Sequence, residues 1–225
     1  MPEFDYPSYL SKLSELEKKN APSDLFFEGD TSLLVKGIRV SVVGSRKVSD
    51  LGKRRAKILT ESLVKKGIIV VSGLAEGVDT IAHQTAIDNN GRTITVLGTP
   101  LDKVFPAKNK DLLQKIKSNH LAVSQFPIGY PSSKGNFPRR NKTMALISDA
   151  TVIIEASENS GTRHQGWEAL RLGRLLFILE SVAKNPSLTW PKEMIKYGAQ
   201  VLTRDNLEES LNDIPNFTSS IELAF

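Results

Sequence analysis

IIVVSGLAEGVDTIAH, residues 68–83, passes from four β-branched residues through a loop bearing Gly73 and Gly77 into a helical pattern. A short apolar run of this kind suits a strand buried on both faces of a parallel sheet. Two glycines let the following turn approach neighbouring backbone, and Asp79 falls in the first turn of the next helix. The same transition occurs at VVGSR, residues 42–46, and at EASENSGT, residues 155–162. Each places a row of backbone N–H groups at the carboxyl edge of a sheet, where open α/β folds take phosphate-bearing ligands.

Working outward, RVSVV (39–43), TITVL (93–97), LAVS (121–124), TVIIE (151–155) and LLFIL (175–179) read as further strands, with QVLT (200–203) as the last. Helical stretches lie between them: 49–67, 77–91, 109–119, 139–150 and 162–173. Three of these close on Gly67, Gly91 and Gly173, in the manner of helix C-caps. Strict β–α alternation predicts an α/β fold with a doubly wound, mostly parallel sheet and right-handed crossovers. Residues 1–37 are expected as an N-terminal helical extension, with Leu10, Leu13 and Leu16 at helical spacing before an irregular lead-in, FFEGDTSLLVKG (26–37). The sheet domain is expected over 38–203 and an acidic tail over 204–225.

Forty per cent apolar and 24% charged residues over 225 positions argue for a folded chain rather than a disordered one. No run approaches the roughly 18 apolar residues of a membrane helix, and the first twenty residues lack the basic-then-apolar pattern of a secretion signal. With no cysteine there is no disulfide, thiolate nucleophile or Cys-held metal; cytoplasmic residence fits. The net charge of +5 is unevenly spread. Ten Lys or Arg lie between Lys36 and Lys66 against Asp50 and Glu61, and nine between Lys103 and Lys142 against Asp111. A basic body of this kind favours a polyanionic ligand on one face.

The motifs sharpen that expectation. Gly44, Ser45 and Arg46 end a strand with close backbone approach, a hydroxyl and a guanidinium suited to phosphate. Neither a GxGxxG fingerprint nor a Walker loop is present. Asp79 and His83 share a helical face. They fit a buried polar pair that fixes the loop better than an acid/base pair or half a metal site, because no third ligand candidate stands nearby. Ser160, Gly161 and Thr162 open a helix and offer backbone donors, and Arg163 and His164 follow in that first turn, where a bound anion would offset their unfavourable placement. NFPRRNK (136–142) sets Arg139, Arg140 and Lys142 beside Phe137, on which a splayed base can stack. His120, Trp167 and Trp190 read as packing or surface residues. No nucleophile elbow, HExxH or paired-carboxylate spacing occurs, so neither catalytic nor metal-ligating residues are assigned.

Taken together and in order, GSR, SGLAEGVDTIAH, GRTITVLGTPLDKVFPAKNKDL, FPRRN and EASENSGT…ALRLGR resemble the Rossmann-like core of the DNA-processing protein A (DprA/Smf) family over residues 38–180. The resemblance implies an extended Rossmann-like fold and a cytoplasmic, homodimeric, non-catalytic protein. Such a protein binds single-stranded DNA without a cofactor and, in DNA uptake and recombination, loads a RecA-type recombinase. By motif position it implies DNA or phosphate contacts from Gly44, Ser45, Arg46, Ser72, Gly73, Gly77, Arg139, Arg140, Asn141, Lys142, Ser160, Gly161 and Thr162. Asp79, His83 and Phe137 would shape the pocket. The chain departs from the family at LLFILES, which lacks the usual Pro-Gly pair, at Gln125 after Ser124, and at ENSGTRHQGWEA. A nucleotide-sensing module is the alternative function. A nucleoside-monophosphate phosphoribohydrolase is a weaker one, because Gln165 stands where that chemistry places a glutamate.

Overall fold

Val40 and Val42 of the first parallel strand enter one hydrophobic cluster, and Val43 enters another on the opposite face. This two-sided burial is why the strand sequences are continuous apolar runs rather than alternating ones. The computed structural model describes residues 5–217. Its strands are β1 (Phe26–Gly29), β2 (Arg39–Val43), β3 (Ile69–Ser72), β4 (Thr93–Leu97), β5 (Leu121–Ser124), β6 (Ala150–Ile153), β7 (Leu175–Leu179) and β8 (Gln200–Leu202). They form one sheet in the order β1-β5-β4-β3-β2-β6-β7-β8. Every pairing is parallel except β1 with β5.

The helices are α1 (Tyr6–Ser11), α2 (Glu15–Lys18), α3 (Asp50–Lys65), α4 (Val78–Asp88), α5 (Lys110–Asn119), α6 (Asn136–Leu146), α7 (Thr162–Arg171), α8 (Glu180–Ala183), α9 (Trp190–Lys196) and α10 (Leu207–Asn212). Ala56 and Leu59 of α3 and Ala82 of α4 cover Val40, Val42, Val70 and Val152 on one face. Met144 of α6, with Trp190 and Met194 of α9, covers Val43, Val71 and Ile153 on the other. From β2 the chain builds outward through β3, β4 and β5, then returns to place β6 on the other flank of β2. Connections therefore diverge at the carboxyl ends of β2 and β6, and a crevice opens there.

The expected doubly wound α/β fold is what forms, with local differences. FFEG, read as irregular, is an edge strand paired antiparallel to β5, so the N-terminal extension belongs to the sheet. Its amphipathic stretch divides into α1 and α2, and Ser14 caps the second through a reciprocal capping box with Glu17. Gly67 and Gly173 take positive φ as helix ends require, but at the end of α4 that conformation belongs to Asn90, at φ 58°. Gly91 serves close approach: a Cβ there would lie 2.4 Å from Val64 of α3. Residues expected in the acidic tail include α10, where Leu211 and the following Ile214 are buried. Residues 218–225 of that tail lie outside the described residues. Among the described residues no helix is long and apolar enough to cross a membrane.

Candidate functional site

The turn after β2 is held from both flanks. Ser45 N–H donates to Glu155 O beyond β6 at 2.7 Å, and Val78 N–H at the start of α4 donates to Ser45 O at 3.2 Å. Gly77 makes the second contact feasible: its φ is +76°, and a Cβ there would lie 2.2 Å from Ser45 O. Glu155 completes the junction by accepting from Ser49 N–H, 2.9 Å, at the N-cap of α3. These bonds hold Arg46 and Lys47 at the crevice mouth, both exposed. The Arg46 guanidinium lies 5.4 Å from the centroid of the half-buried Phe137 ring.

Beneath the mouth lies a buried charge pair. Arg140, expected to face phosphate, is only 4% exposed and turns inward. Its Nη1 donates to Gly73 O and, at 2.9 Å, to Val96 O, tying the carboxyl ends of β3 and β4 together. A Cβ on Gly73 would fall 1.7 Å from that nitrogen, so any side chain there would displace the guanidinium from its two carbonyls. Asp79 Oδ2 accepts from Gly73 N–H and Ala75 N–H, each at 3.2 Å. Burial pushes the Asp79 carboxyl up and the Arg140 guanidinium down, and each charge opposes the shift of the other. The pair fixes the SGLAEG loop and leaves a positive group under the floor of the cleft.

Other expected contacts also resolve into structural roles. Ser72 is buried and donates to Val42 O at 2.7 Å, so its hydroxyl joins β3 to β2 rather than reaching a ligand. Arg139 faces away from the cleft, donating to Tyr130 Oη at 2.9 Å with its guanidinium 5.1 Å from the Phe126 ring centroid. Lys142 is exposed, with Nζ 3.8 Å from Glu168 of α7. Arg163 folds back to donate to Glu158 O. The cationic side chains that line the cleft from its turn are therefore Arg46 and Lys47, and His164 lines it from α7.

Asp79 and His83 bond to different partners. His83 is fully buried, with Nδ1 2.7 Å from Thr93 Oγ1, whose own hydroxyl donates to Val70 O. Thr93 therefore accepts from His83 Nδ1–H. Burial, aided by the charges of His120 and Arg140, pulls the imidazole from 6.5 down to about 3. The unfolded chain then takes up a proton that the folded chain refuses, so this contribution to stability is intact above pH 6.5 and lost as pH falls towards 3. Each pH unit in that window costs about 1.4 kcal/mol. Buried His120 shifts in the same direction, whereas Asp79, pushed up, acts with the opposite sign. His83→Gln is expected to flatten the acid-side fall in urea midpoint between pH 7 and pH 5 without abolishing it; an unchanged slope would show that His83 does not carry it.

On the far wall, Asn141 of α6 donates through Nδ2 to Gly161 O at 3.3 Å and accepts from Arg140 Nε at 3.0 Å, linking the buried charge to the start of α7. Gly161 is the N-cap of α7, and no side chain caps that position. Ser160 Oγ accepts from Thr162 N–H at 3.2 Å and donates to Thr162 Oγ1 at 2.9 Å. The result is a cleft of about 580 Å³ between the GSR turn and the SGT turn, with Phe137 and Asn141 along one side. That volume is in the range of small-molecule sites. Phe137 packs 5.6 Å from Phe105 and against Gly98, where a Cβ would lie 2.7 Å from its ring. Sequence reasoning assigned no contact to Lys47 or to the cleft-lining Ser157, and had set His164 beside a bound anion only through its place in the first turn of the helix. For Lys47 the available signal was its place directly after Arg46, in the same turn.

The profile of the DNA recombination-mediator protein A family matches residues 2–214. The chain belongs to this family. DNA recombination-mediator protein A relatives include the DNA processing protein DprA of Bacillus subtilis, 30% identical over 93% of this chain and 68% of its own length. Protein Smf of Escherichia coli is 34% identical over 94% of this chain and 56% of its own length. The chain thus spans about half to two-thirds of these curated relatives. Among solved structures, DprA from Streptococcus pneumoniae superposes with a TM-score of 0.79 and 32% identity, covering 92% of this chain and 70% of that one. DNA processing protein A from Helicobacter pylori, described for its single-stranded DNA binding mode, gives 0.77 and 28% identity, covering 89% and 91%.

Proposed function

We propose that this chain binds single-stranded DNA and performs no chemistry on it. A strand phosphate sits between Arg46, Lys47 and the positive end of α7, with a base against the Phe137 ring. The observation that carries this reading is the convergence of two cations, a glycine-capped helix start and a half-buried aromatic ring on one cleft at the β2–β6 crossing. The positive end of a helix and guanidinium groups suit phosphate, and an aromatic face accepts any base. The name given to the H. pylori relative's binding mode supports the same ligand class. Arg140 enters as the buried support of the loop, and Arg139 as an outlying cation beside the strand path.

Family membership supports, as parts of the same proposal, a homodimer, cytoplasmic residence and a RecA-type recombinase as partner in recombination or DNA uptake. The size of the cleft favours one competing occupant, a free mononucleotide held by the same groups. Thymidine monophosphate competing against a labelled oligothymidylate separates the two. Displacement only at millimolar nucleotide is the expected result, whereas displacement at concentrations matching the oligonucleotide would favour the sensor. Gln165 is buried in the cleft wall, where hydrolysis would call for a carboxylate. Release of free base from any nucleoside monophosphate would overturn the non-catalytic reading.

A further inference from the structure

Phe105, in the loop that follows β4, stands beside the cleft with much of its ring in water. It is 52% exposed, and its ring centroid lies 5.6 Å from that of Phe137 with the planes inclined at 52°. Isolated exposed apolar side chains are ordinary on a protein surface. This one is aromatic, adjoins the site and is braced. Thr99 Oγ1 donates to Lys103 O at 2.9 Å, and Asn109 Nδ2 donates to Leu74 O, also at 2.9 Å, so the loop is tied down on both sides of the ring. Leu74 belongs to the SGLAEG loop, and that bond fixes Phe105 relative to the cleft. Beside the ring lies a notch of about 70 Å³ that shares Arg46, Ala75 and Phe137 with the cleft itself. Glu76 also lines the notch and pairs with Lys108 at 2.9 Å.

Phe137 presents only part of its ring, because it is half-buried and the Arg46 and Arg140 guanidiniums lie 5.4 and 6.0 Å from its centroid. Phe105 has the more open face. Resting on the single-strand reading of the cleft, we propose that Phe105 stacks a second base, the neighbour along the strand of the one at Phe137. The Glu76 carboxylate repels phosphate from the notch, so the base enters and its backbone stays outside. Rings inclined at 52° hold two bases splayed, whereas successive bases of a duplex strand lie stacked at about 3.4 Å. Phe105 therefore lengthens the site by one nucleotide and favours unpaired strand over duplex.

The test titrates a labelled oligothymidylate of about 15 nucleotides, near the upper site size of one single-strand module, with the full chain and its Phe105 variants. Phe105→Leu keeps apolar bulk against Phe137 but loses the π-face, and is expected to weaken binding about five- to ten-fold. Phe105→Tyr keeps the ring and should stay within about two-fold of wild type. Neither should alter the slope of log affinity against log salt, because no phosphate contact is removed. Phe105→Trp adds an emitter that the oligonucleotide should quench and that thymidine monophosphate, held in the cleft alone, should not. Wild-type affinity in Phe105→Leu, or unquenched added emission when Phe105→Trp has bound the strand, would overturn the second stack and leave the cleft standing. An equal loss of duplex affinity in Phe105→Leu would overturn the preference for unpaired strand. A wild-type chain that binds no oligothymidylate would bring down the cleft reading and this one together.

Discussion

Arg140→Ala is expected to destabilise the protein by about 3–5 kcal/mol, a large part of the ~5–15 kcal/mol that holds a domain folded. The substitution removes the donor to Gly73 O and Val96 O and leaves Asp79 buried without its counter-charge. Arg140→Lys should recover part of the loss, since an ammonium keeps the charge but lacks the planar fork that reaches two carbonyls and Asn141 together. Arg139→Ala, one residue away, should change stability by less than about 0.5 kcal/mol, because that side chain is exposed. Urea unfolding of the three variants checks the contrast directly. Equal, small effects at both positions would mean that Arg140 does not anchor the loop.

Replacing Arg46 and Lys47 together by Ala should leave the fold intact, both side chains being exposed, and weaken single-strand binding about ten-fold or more. Each lost phosphate contact lowers the slope of log affinity against log salt by about 0.7 for single strands, so the double variant should lose about 1.4. Lys142→Ala, with its ammonium near Glu168, should move that slope much less. The comparison separates cations that touch the strand from those that only add to the net charge. An unaltered slope in the double variant would remove the GSR turn from the interface.

Much of the architecture was readable from residue pattern because two-sided burial leaves a simple mark. RVSVV, TITVL and LLFIL cannot be amphipathic and still fill the middle of a parallel sheet. The edge strand β1 left no such mark: its FFEG is half-buried, then exposed, and only its pairing to β5 defines it. The glycine loop was legible because Gly77 takes a positive φ against the backbone of Ser45 and Arg46, and Gly73 leaves room for the Arg140 guanidinium. The roles of Arg139 and Arg140 were not. Successive residues on a helix point about 100° apart, so one guanidinium of an adjacent pair enters the protein and the other meets Tyr130. Ser72 misled for a related reason, since a strand-end hydroxyl serves a neighbouring carbonyl as readily as a ligand. The buried Arg39–Asp149 ion pair, 3.0 Å across and 110 residues apart in sequence, gave no local signal at all.

The central claim is that the cleft at the β2–β6 crossing binds a single strand through its phosphates. Fluorescence anisotropy of a labelled oligothymidylate and of the corresponding duplex, titrated with the full chain across a salt series, tests it most directly. The account predicts preferential binding of the single strand, with log affinity falling linearly as log salt rises. Absence of binding at low salt, or equal affinity for duplex and single strand with no dependence on salt, would contradict it.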